Sequence, residues 1–317
     1  MQNILITGGL GFIGSHLVKK LFCNDYHIVI VDYAAPPYRR HVLEIFGQQR
    51  LPIYRYDIIN REAISDIIRR EGIDTCIHLA AKIGVRDSVP NAEMMDVNVR
   101  GTCSILESCS MNGVKNFIFA SSAAVYGEPT KLPTPEDHPL NPISVYGASK
   151  VAGEALVSAY RNSKRINNIV TLRFFNVFGE FQNPLYAGII TQFAERLSKN
   201  QPPVIYGDGN QTRDFISVQD IVDAIVAVLK VSEGPWPDVL NVGTGGSISI
   251  NDLARAMIKQ YGVNDLEPIY HKAAKGDVTN SCADTVKIRR TLKSVASPDS
   301  LENIKRMLLQ KPLLINQ

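Results

Sequence analysis

Short uninterrupted apolar runs alternate along the first half of the chain with stretches in which apolar residues return every three or four positions. The runs, such as Ile4-Leu5-Ile6 and Ile28-Val29-Ile30-Val31, predict strands over 3–7, 27–32, 53–56, 75–79 and 116–121. The helical pattern predicts helices over 13–22, 61–70 and about 92–111. Runs without polar alternation belong to strands covered on both faces, as parallel strands are. Repeated βαβ order then predicts an α/β fold with a doubly wound parallel sheet.

Beyond Lys150 the alternation persists through a helix over 151–161 and a strand over 169–173, then loosens. Pro184, Pro202, Pro203, Gly207 and Gly209 mark loops around one amphipathic helix over 189–198. Residues 218–231 and 239–242 again read as helix and strand, and the chain from 251 reads as mostly helical with an extended piece near Pro268. The expected organisation is a main domain over 1–175 with returns at about 216–245. A smaller interleaved lobe takes 176–215 and 246–317.

The 317 residues carry a formal charge of only +3, too weak a field to call for nucleic acid or an anionic membrane. No window approaches the roughly 18 apolar residues of a membrane span, and no basic leader with an apolar run opens the chain, so a cytoplasmic protein is expected. Five cysteines without a Cys-x-x-Cys pair fit a reducing compartment. Six histidines without metal-ligand spacing predict no metal.

Chemistry enters directly after the first strand. Gly8, Gly11 and Gly14 have G-x-x-G-x-x-G spacing around Phe12 and Ile13, at a strand-to-helix junction. Such glycines allow a tight turn and close backbone approach to a pyrophosphate, which the helix N-terminus attracts. Asp32 follows at the end of the second strand, where an acid hydrogen-bonds a ribose 2′-hydroxyl. A carboxylate there repels a 2′-phosphate and so selects NAD over NADP, with Arg39 and Arg40 the residues that argue the other way.

Tyr146 and Lys150 stand four apart on a helix and so share a face, and Ser121-Ser122 end the preceding strand. A tyrosine of reference pKa about 10 needs its pKa lowered by about 3 units, roughly 4 kcal/mol, to serve as a base near neutrality. A neighbouring ammonium, joined by the nicotinamide cation, acts in that direction.

Together with TGGLGFIGSH, YDI (56–58), HLAA (78–81), NVRGT (98–102), SSAAVYG (121–127), YGASK (146–150), LRFFNVFG (172–179), YGDG (206–209), TRDF (212–215) and NVGTG (241–245), these residues resemble the extended short-chain dehydrogenase/reductase family, in its nucleotide-sugar epimerase/dehydratase branch. The resemblance implies a Rossmann-type NAD domain, with a nucleoside-diphosphate sugar held against the smaller lobe, and a homodimer pairing the helices near 92–111 and 151–161. By motif match, Asp57 and Ile58 would flank the adenine, Leu79, Ala80 and Ala81 the ribose and phosphates, and Asn98 would add a cofactor contact. Phe174 and Phe175 would lie near the nicotinamide, with Ser122, Tyr146 and Lys150 as the catalytic set. Asn176, Gly188, Val204, Tyr206, Arg213, Asp277 and Ser281 would hold the nucleotide sugar; Val204 and Tyr206 are equally consistent with core positions.

Members of this branch oxidise sugar C4 and then diverge. Dehydratases and decarboxylases carry an acid just after the catalytic serine or threonine, where this chain has Ala123-Ala124, so hydride return to the opposite face is expected: a 4-epimerase acting on a UDP-hexose or N-acetylhexosamine. Alternatives within the branch are a UDP-uronate 4-epimerase, a dehydratase and a 4-keto-sugar reductase; outside catalysis, an NAD(H)-sensing protein. Ala274 replaces the arginine that commonly clamps diphosphate, with Lys272 and Lys275 as imperfect substitutes, and Ser281 replaces a bulky tyrosine near the sugar's 2-position.

Overall fold

The computed structural model describes residues 2–24, 26–33, 51–83, 91–182, 188–231, 235–273, 278–292 and 304. Arg39, Arg40, Ala274, Lys275 and Asp277 lie outside the described residues.

The elements follow in chain order as β1 (Gln2–Thr7), α1 (Phe12–Phe22), β2 (Tyr26–Val31), β3 (Ile53–Tyr54), α2 (Arg61–Arg70), β4 (Thr75–His78), α3 (Asn91–Met95), a π-helical turn (Asp96–Gly101), α4 (Thr102–Met111) and β5 (Asn116–Ser122). After a single 3-10 turn (Ala123–Val125) come α5 (Val145–Asn162), β6 (Asn168–Phe174), β7 (Asn176–Phe178), α6 (Ile189–Ser198), β8 (Val204–Tyr206), β9 (Thr212–Arg213) and β10 (Phe215–Ser217). The last are α7 (Val218–Leu229), β11 (Val239–Val242), β12 (Ile248–Ser249), α8 (Ile250–Tyr261), β13 (Ile269–His271) and α9 (Val286–Leu292).

Seven strands form one sheet in the order β11-β6-β5-β4-β1-β2-β3, every neighbouring pair parallel. The apolar runs are explained by what covers them. On one face Ile4, Ile6, Ile28, Ile30, Ile118, Val170 and Leu172 pack with Leu17 of α1 and Ile221 and Ile225 of α7. The alternate residues Leu5, Val29, Val31, Phe117, Phe119 and Ile169 pack on the other with Ile64, Ile67, Ile105, Leu106 and Val157 of α2, α4 and α5. Consecutive residues point to opposite faces, so a strand with both faces covered must be apolar throughout. The Rossmann-type expectation holds.

A separate core joins Phe178, Ile190, Phe193, Leu197, Ile205, Phe215, Leu253 and Met257, drawn from β7, α6, β8, β10 and α8. The three small pairings β7 with β10, β9 with β12 and β8 with β13 frame it. Two expectations are corrected here. The extended piece expected near Pro268 is β13, but the rest of the described chain between α8 and α9 is not the helix expected there and makes bridges at Asn280 and Ala283. And α9, expected in the smaller lobe, buries Ile288 in the main sheet's core, because its apolar face covers β11, which would otherwise be an exposed edge.

Candidate functional site

The turn between β1 and α1 is built by contact. Gly8 has φ +70°, and a Cβ there would lie 2.8 Å from the backbone of Ala80; one on Gly14 would run into the Gly8 carbonyl and lie 2.7 Å from Gly9 Cα. At Gly11 the nearest atom to such a Cβ is the Gly8 carbonyl at 3.1 Å, and Gly11 caps α1 without a side-chain hydrogen bond or an acid in the first turn. The first-turn amides therefore face outward with no intrahelical partner, above a surface stripped of side chains. This is a cradle that side chains would fill, and it fits a dinucleotide pyrophosphate. Asp32 is buried at the end of β2, its Oδ2 accepting from Leu10 N at 3.1 Å, so the acid expected at the ribose also braces the glycine turn.

Leu79, Ala80 and Ala81 continue from β4 alongside this turn, half-buried. A hydrogen-bonded chain fixes their position. Ala80 N donates to Thr7 Oγ1 (3.3 Å), which lies 2.7 Å from His78 Nδ1; His78 Nε2 lies 3.0 Å from Thr102 Oγ1, which donates to Asn98 O (2.6 Å). With its one proton spent on Asn98, Thr102 accepts from His78, so Nε2 of the imidazole carries a proton. Burial pulls the His78 pKa down to about 3, with Lys150 pushing the same way. Asn98, on the π-helical turn, holds both main-chain groups of Lys82, accepting from its N at 2.7 Å and donating to its O at 2.9 Å. It also donates to Ser149 Oγ at 3.0 Å. It thereby orders the segment that runs from Leu79 to Lys82. Asp57 accepts from Ile59 N at 3.0 Å in the turn before α2, and Ile58 is turned inward against Gly101, leaving its main chain for any base.

Ser122 ends β5 and Tyr146 lies in the first turn of α5, whose N-cap Ser144 accepts from Gly147 N. The periodic pattern placed the start of this helix at 151; the cap brings it forward to Val145, putting Tyr146 and Lys150 on successive turns of one helix. The Ser122 hydroxyl accepts from Ala124 N (3.2 Å) and donates to Tyr146. Lys150 is buried, its Nζ donating to Ala120 O at 2.8 Å and lying 5.8 Å from the Tyr146 ring centroid. Burial lowers the Lys150 pKa to about 8, opposed by Glu154. Burial raises Tyr146 to about 12, against the donation from Ser122. This is opposite to the lowered value a base requires, because the protein itself desolvates the phenol and Lys150 sits against the Ala120 carbonyl. Phe174, in register with Ser122, is packed in the main core, while Phe175 turns to Val125, Tyr126 and Ala283.

Around this mouth, one buried carboxylate gathers the expected sugar-nucleotide residues. Asp214 accepts from Thr244 N (2.9 Å), Thr244 Oγ1 (2.6 Å), Gly245 N (3.0 Å) and Ala283 N (3.0 Å), and its carbonyl accepts from both N and Nδ2 of Asn176. Beside it, Arg213 is buried and donates to Thr212 O at 2.8 Å, and Ser281 N donates to the same carbonyl at 3.1 Å. Arg213, Asn176 and Ser281 are therefore brought together. Ile205 enters the smaller core while Val204 and Tyr206 take the opposite, half-exposed face of β8, so the core alternative for them falls away. Gly188 is exposed at the uncapped start of α6. Sequence reasoning missed Thr7, His78, Glu154, Arg173 and Asp214 as site-builders. All but Glu154 fall in or beside quoted motifs, and the signal in Arg173 and Asp214 was a charge inside an apolar context.

A dinucleotide cradle and a serine–tyrosine–lysine set on one sheet edge define an enzyme built around a nucleotide cofactor. The chain matches the NAD dependent epimerase/dehydratase family over residues 4–243, and it belongs to that family. A UDP-glucose 4-epimerase of Mycolicibacterium smegmatis is 34% identical over 294 residues, 92% of each chain. The crystal structure of a UDP-glucose 4-epimerase from Thermotoga maritima with UDP-glucose has a TM-score of 0.88 at 32% identity, covering 97% of this chain and 98% of that one. A UDP-N-acetylglucosamine 4-epimerase from Methanobrevibacter ruminantium, in complex with UDP-N-acetylmuramic acid, has a TM-score of 0.87 at 31% identity, covering 97% of both. Among the described residues no helix is long and apolar enough to cross a membrane, and no cluster of metal-ligating side chains occurs.

The raised Tyr146 pKa is directly measurable. In protein stripped of cofactor, the phenolate absorbance lost in Tyr146→Phe should be missing at pH 10 and appear only near 12. Loading NAD⁺ brings a cation beside the phenol and should move that titration to lower pH. A Tyr146 signal that titrates below pH 10 without cofactor, or is unmoved by NAD⁺, would contradict this assignment.

Proposed function

We propose that this enzyme interconverts UDP-hexoses epimeric at C4, using a tightly held NAD. The observation that carries the reading is the meeting of Ser122, Tyr146 and Lys150 beside the glycine cradle, with Ala123 and Ala124 where an acid would be needed to act on a neighbouring carbon. NAD, when bound, supplies a reversible hydride acceptor. Ser122 and Tyr146 share a hydrogen bond at which the sugar's 4-hydroxyl can be bound and its proton taken up by the Tyr146 oxygen. Lys150 holds positive charge behind the phenol. Asn176, held on the Asp214 carbonyl, and Arg213, held by the Thr212 carbonyl, bind and orient the diphosphate and leave the sugar free to present either face of its 4-keto form.

Three further assignments belong to this reading. Ser281 leaves room for an N-acetyl group at the sugar's 2-position, so both plain and N-acetylated hexoses are substrates. The five free thiols suit a reducing cytoplasm. The enzyme works as a homodimer through α4 and α5, where Ile105 and Leu106 are consumed by the core but Cys103 and Leu156 remain half-buried at the surface.

Purified protein should contain NAD(H) without addition and convert UDP-glucose or UDP-N-acetylglucosamine to a 4-epimer, read by mass spectrometry and chromatography of the released sugar. Tyr146→Phe should lower turnover at least about 10²-fold with cofactor retained; wild-type turnover in that variant defeats the mechanism. Ser281→Tyr should depress turnover of N-acetylated substrates by roughly 5- to 150-fold, the kinetic equivalent of about 1–3 kcal/mol of overpacking, and affect plain hexoses much less. Parallel loss on both substrates removes Ser281 as selector. Sedimentation at micromolar concentration should give a dimer, and a monomer refutes that assignment.

A further inference from the structure

Glu154 lies on α5 one turn beyond Lys150 and is 8% exposed. Its Oε1 accepts from Ser121 Oγ at 2.5 Å and from Arg173 Nε at 2.9 Å, and its Oε2 accepts from Arg173 Nη2 at 2.7 Å. Arg173, equally buried, carries the network on: Nη1 donates to Tyr126 Oη (2.9 Å) and to Glu136 O (2.8 Å), and Tyr126 Oη donates to Asn241 Oδ1 (2.6 Å). Asn241 closes it, its backbone N donating to Glu136 Oε1 (2.9 Å) and its Nδ2 to Thr134 O (2.9 Å).

A buried ion pair of this kind is weak evidence of stability, since apolar side chains of equal volume often serve as well or better. The positions of its members are more telling. Ser121 precedes Ser122, Arg173 precedes Phe174, Tyr126 ends the turn that follows Ser122, and Glu154 is one turn from Lys150. Ser121 and Arg173 are thus immediate neighbours of residues at the catalytic mouth, and Tyr126 and Glu154 lie four residues from one.

We propose that Glu154 is a positioning residue: it locks the catalytic ends of β5, β6 and α5 into one arrangement and supplies the counter-charge for the buried Lys150. The proposal rests on the functional reading of Lys150 given above. Among the described residues, the charged and titratable groups around Lys150 are few. α5 contributes Tyr146 and Glu154; β4 contributes His78, neutral; β5 contributes the Ala120 carbonyl and the Phe119 ring; and Arg173 of β6 is held in the grip of Glu154. Burial draws Lys150 down to about 8, and Glu154 opposes that fall.

The test is a titration of Lys150 in cofactor-stripped protein labelled with ¹³C at lysine Cε, its signal identified by its absence from Lys150→Met. Glu154→Gln keeps the shape and an acceptor for Ser121 but removes the charge; Glu154→Gln with Arg173→Met removes both charges and serves if the single variant leaves Arg173 too unbalanced to fold. The Lys150 midpoint should fall by about 1 pH unit in Glu154→Gln, the Coulomb value for charges roughly 6 Å apart at an effective dielectric constant of about 40, and by less in the double variant, where the loss of the Arg173 cation acts in the opposite direction. The alkaline limb of kcat should move down with it while KM changes little, and Glu154→Asp, which keeps the charge, should stay near wild type. An unmoved Lys150 midpoint in a variant with wild-type circular dichroism overturns the proposal, as does a moved midpoint with an unmoved alkaline limb. Wild-type protein without epimerase activity defeats the functional reading instead, and the Lys150 titration then decides the role of Glu154 by itself.

Discussion

Everything at the mouth depends on seven strands running the same way. Parallel register sets Thr7 beside Val31 and His78, His78 beside Phe119, Ser122 beside Phe174, and Phe174 beside Val242. The carboxyl ends therefore form one line, and each loop leaving that line is delivered to the same place: the glycine turn, Asp32, the segment from Leu79, the serine pair, the phenylalanine pair and the loop at Gly243. Ligand sites of open α/β sheets fall on this edge because the helices that follow the strands point their N-termini at it.

Bringing so many chain ends together buries polar groups, and the structure meets that cost with three closed networks. Thr7, His78, Thr102 and Asn98 satisfy one another between β1, β4 and the π-helical turn. Glu154 and Arg173 do the same between α5 and β6, and Asp214 between the main sheet's last loop and the smaller lobe. An incompletely satisfied group in any of them would carry the full penalty of desolvation. These networks thus set distances within the site.

How much of this could be read from the chain follows from the same physics. The strands of the main sheet announced themselves because both faces are covered, which leaves no polar position to confuse the reading, and α2 and α6 were legible to the residue because their apolar stripes are interrupted at both ends. The strands β7 to β10 and β12 were not, since two or three residues carry no period. The glycines and Asp32 were legible because backbone geometry restricts the residue types allowed there. Arg173 and Asp214 were not assigned roles, because a charge in an apolar run is ordinarily a surface residue, and only the fold shows that each has a complete set of buried partners. The burial that raises Tyr146 was not legible for a related reason: spacing brings a lysine near but does not tell how completely both groups lose water.

The Asp214 knot also bears on how the molecule comes into being. Its donors lie 30 residues along at Thr244 and 69 along at Ala283, so neither hydrogen bond can form until long loops have closed. Contacts of such sequence separation charge their loop entropy before they add any stability, and they form slowly. The glycine turn, by contrast, takes most of its contacts from the first 32 residues and the rest from the backbone at Ala80. The two halves of the site therefore carry different loop-closure costs, and the larger one falls on a single aspartate.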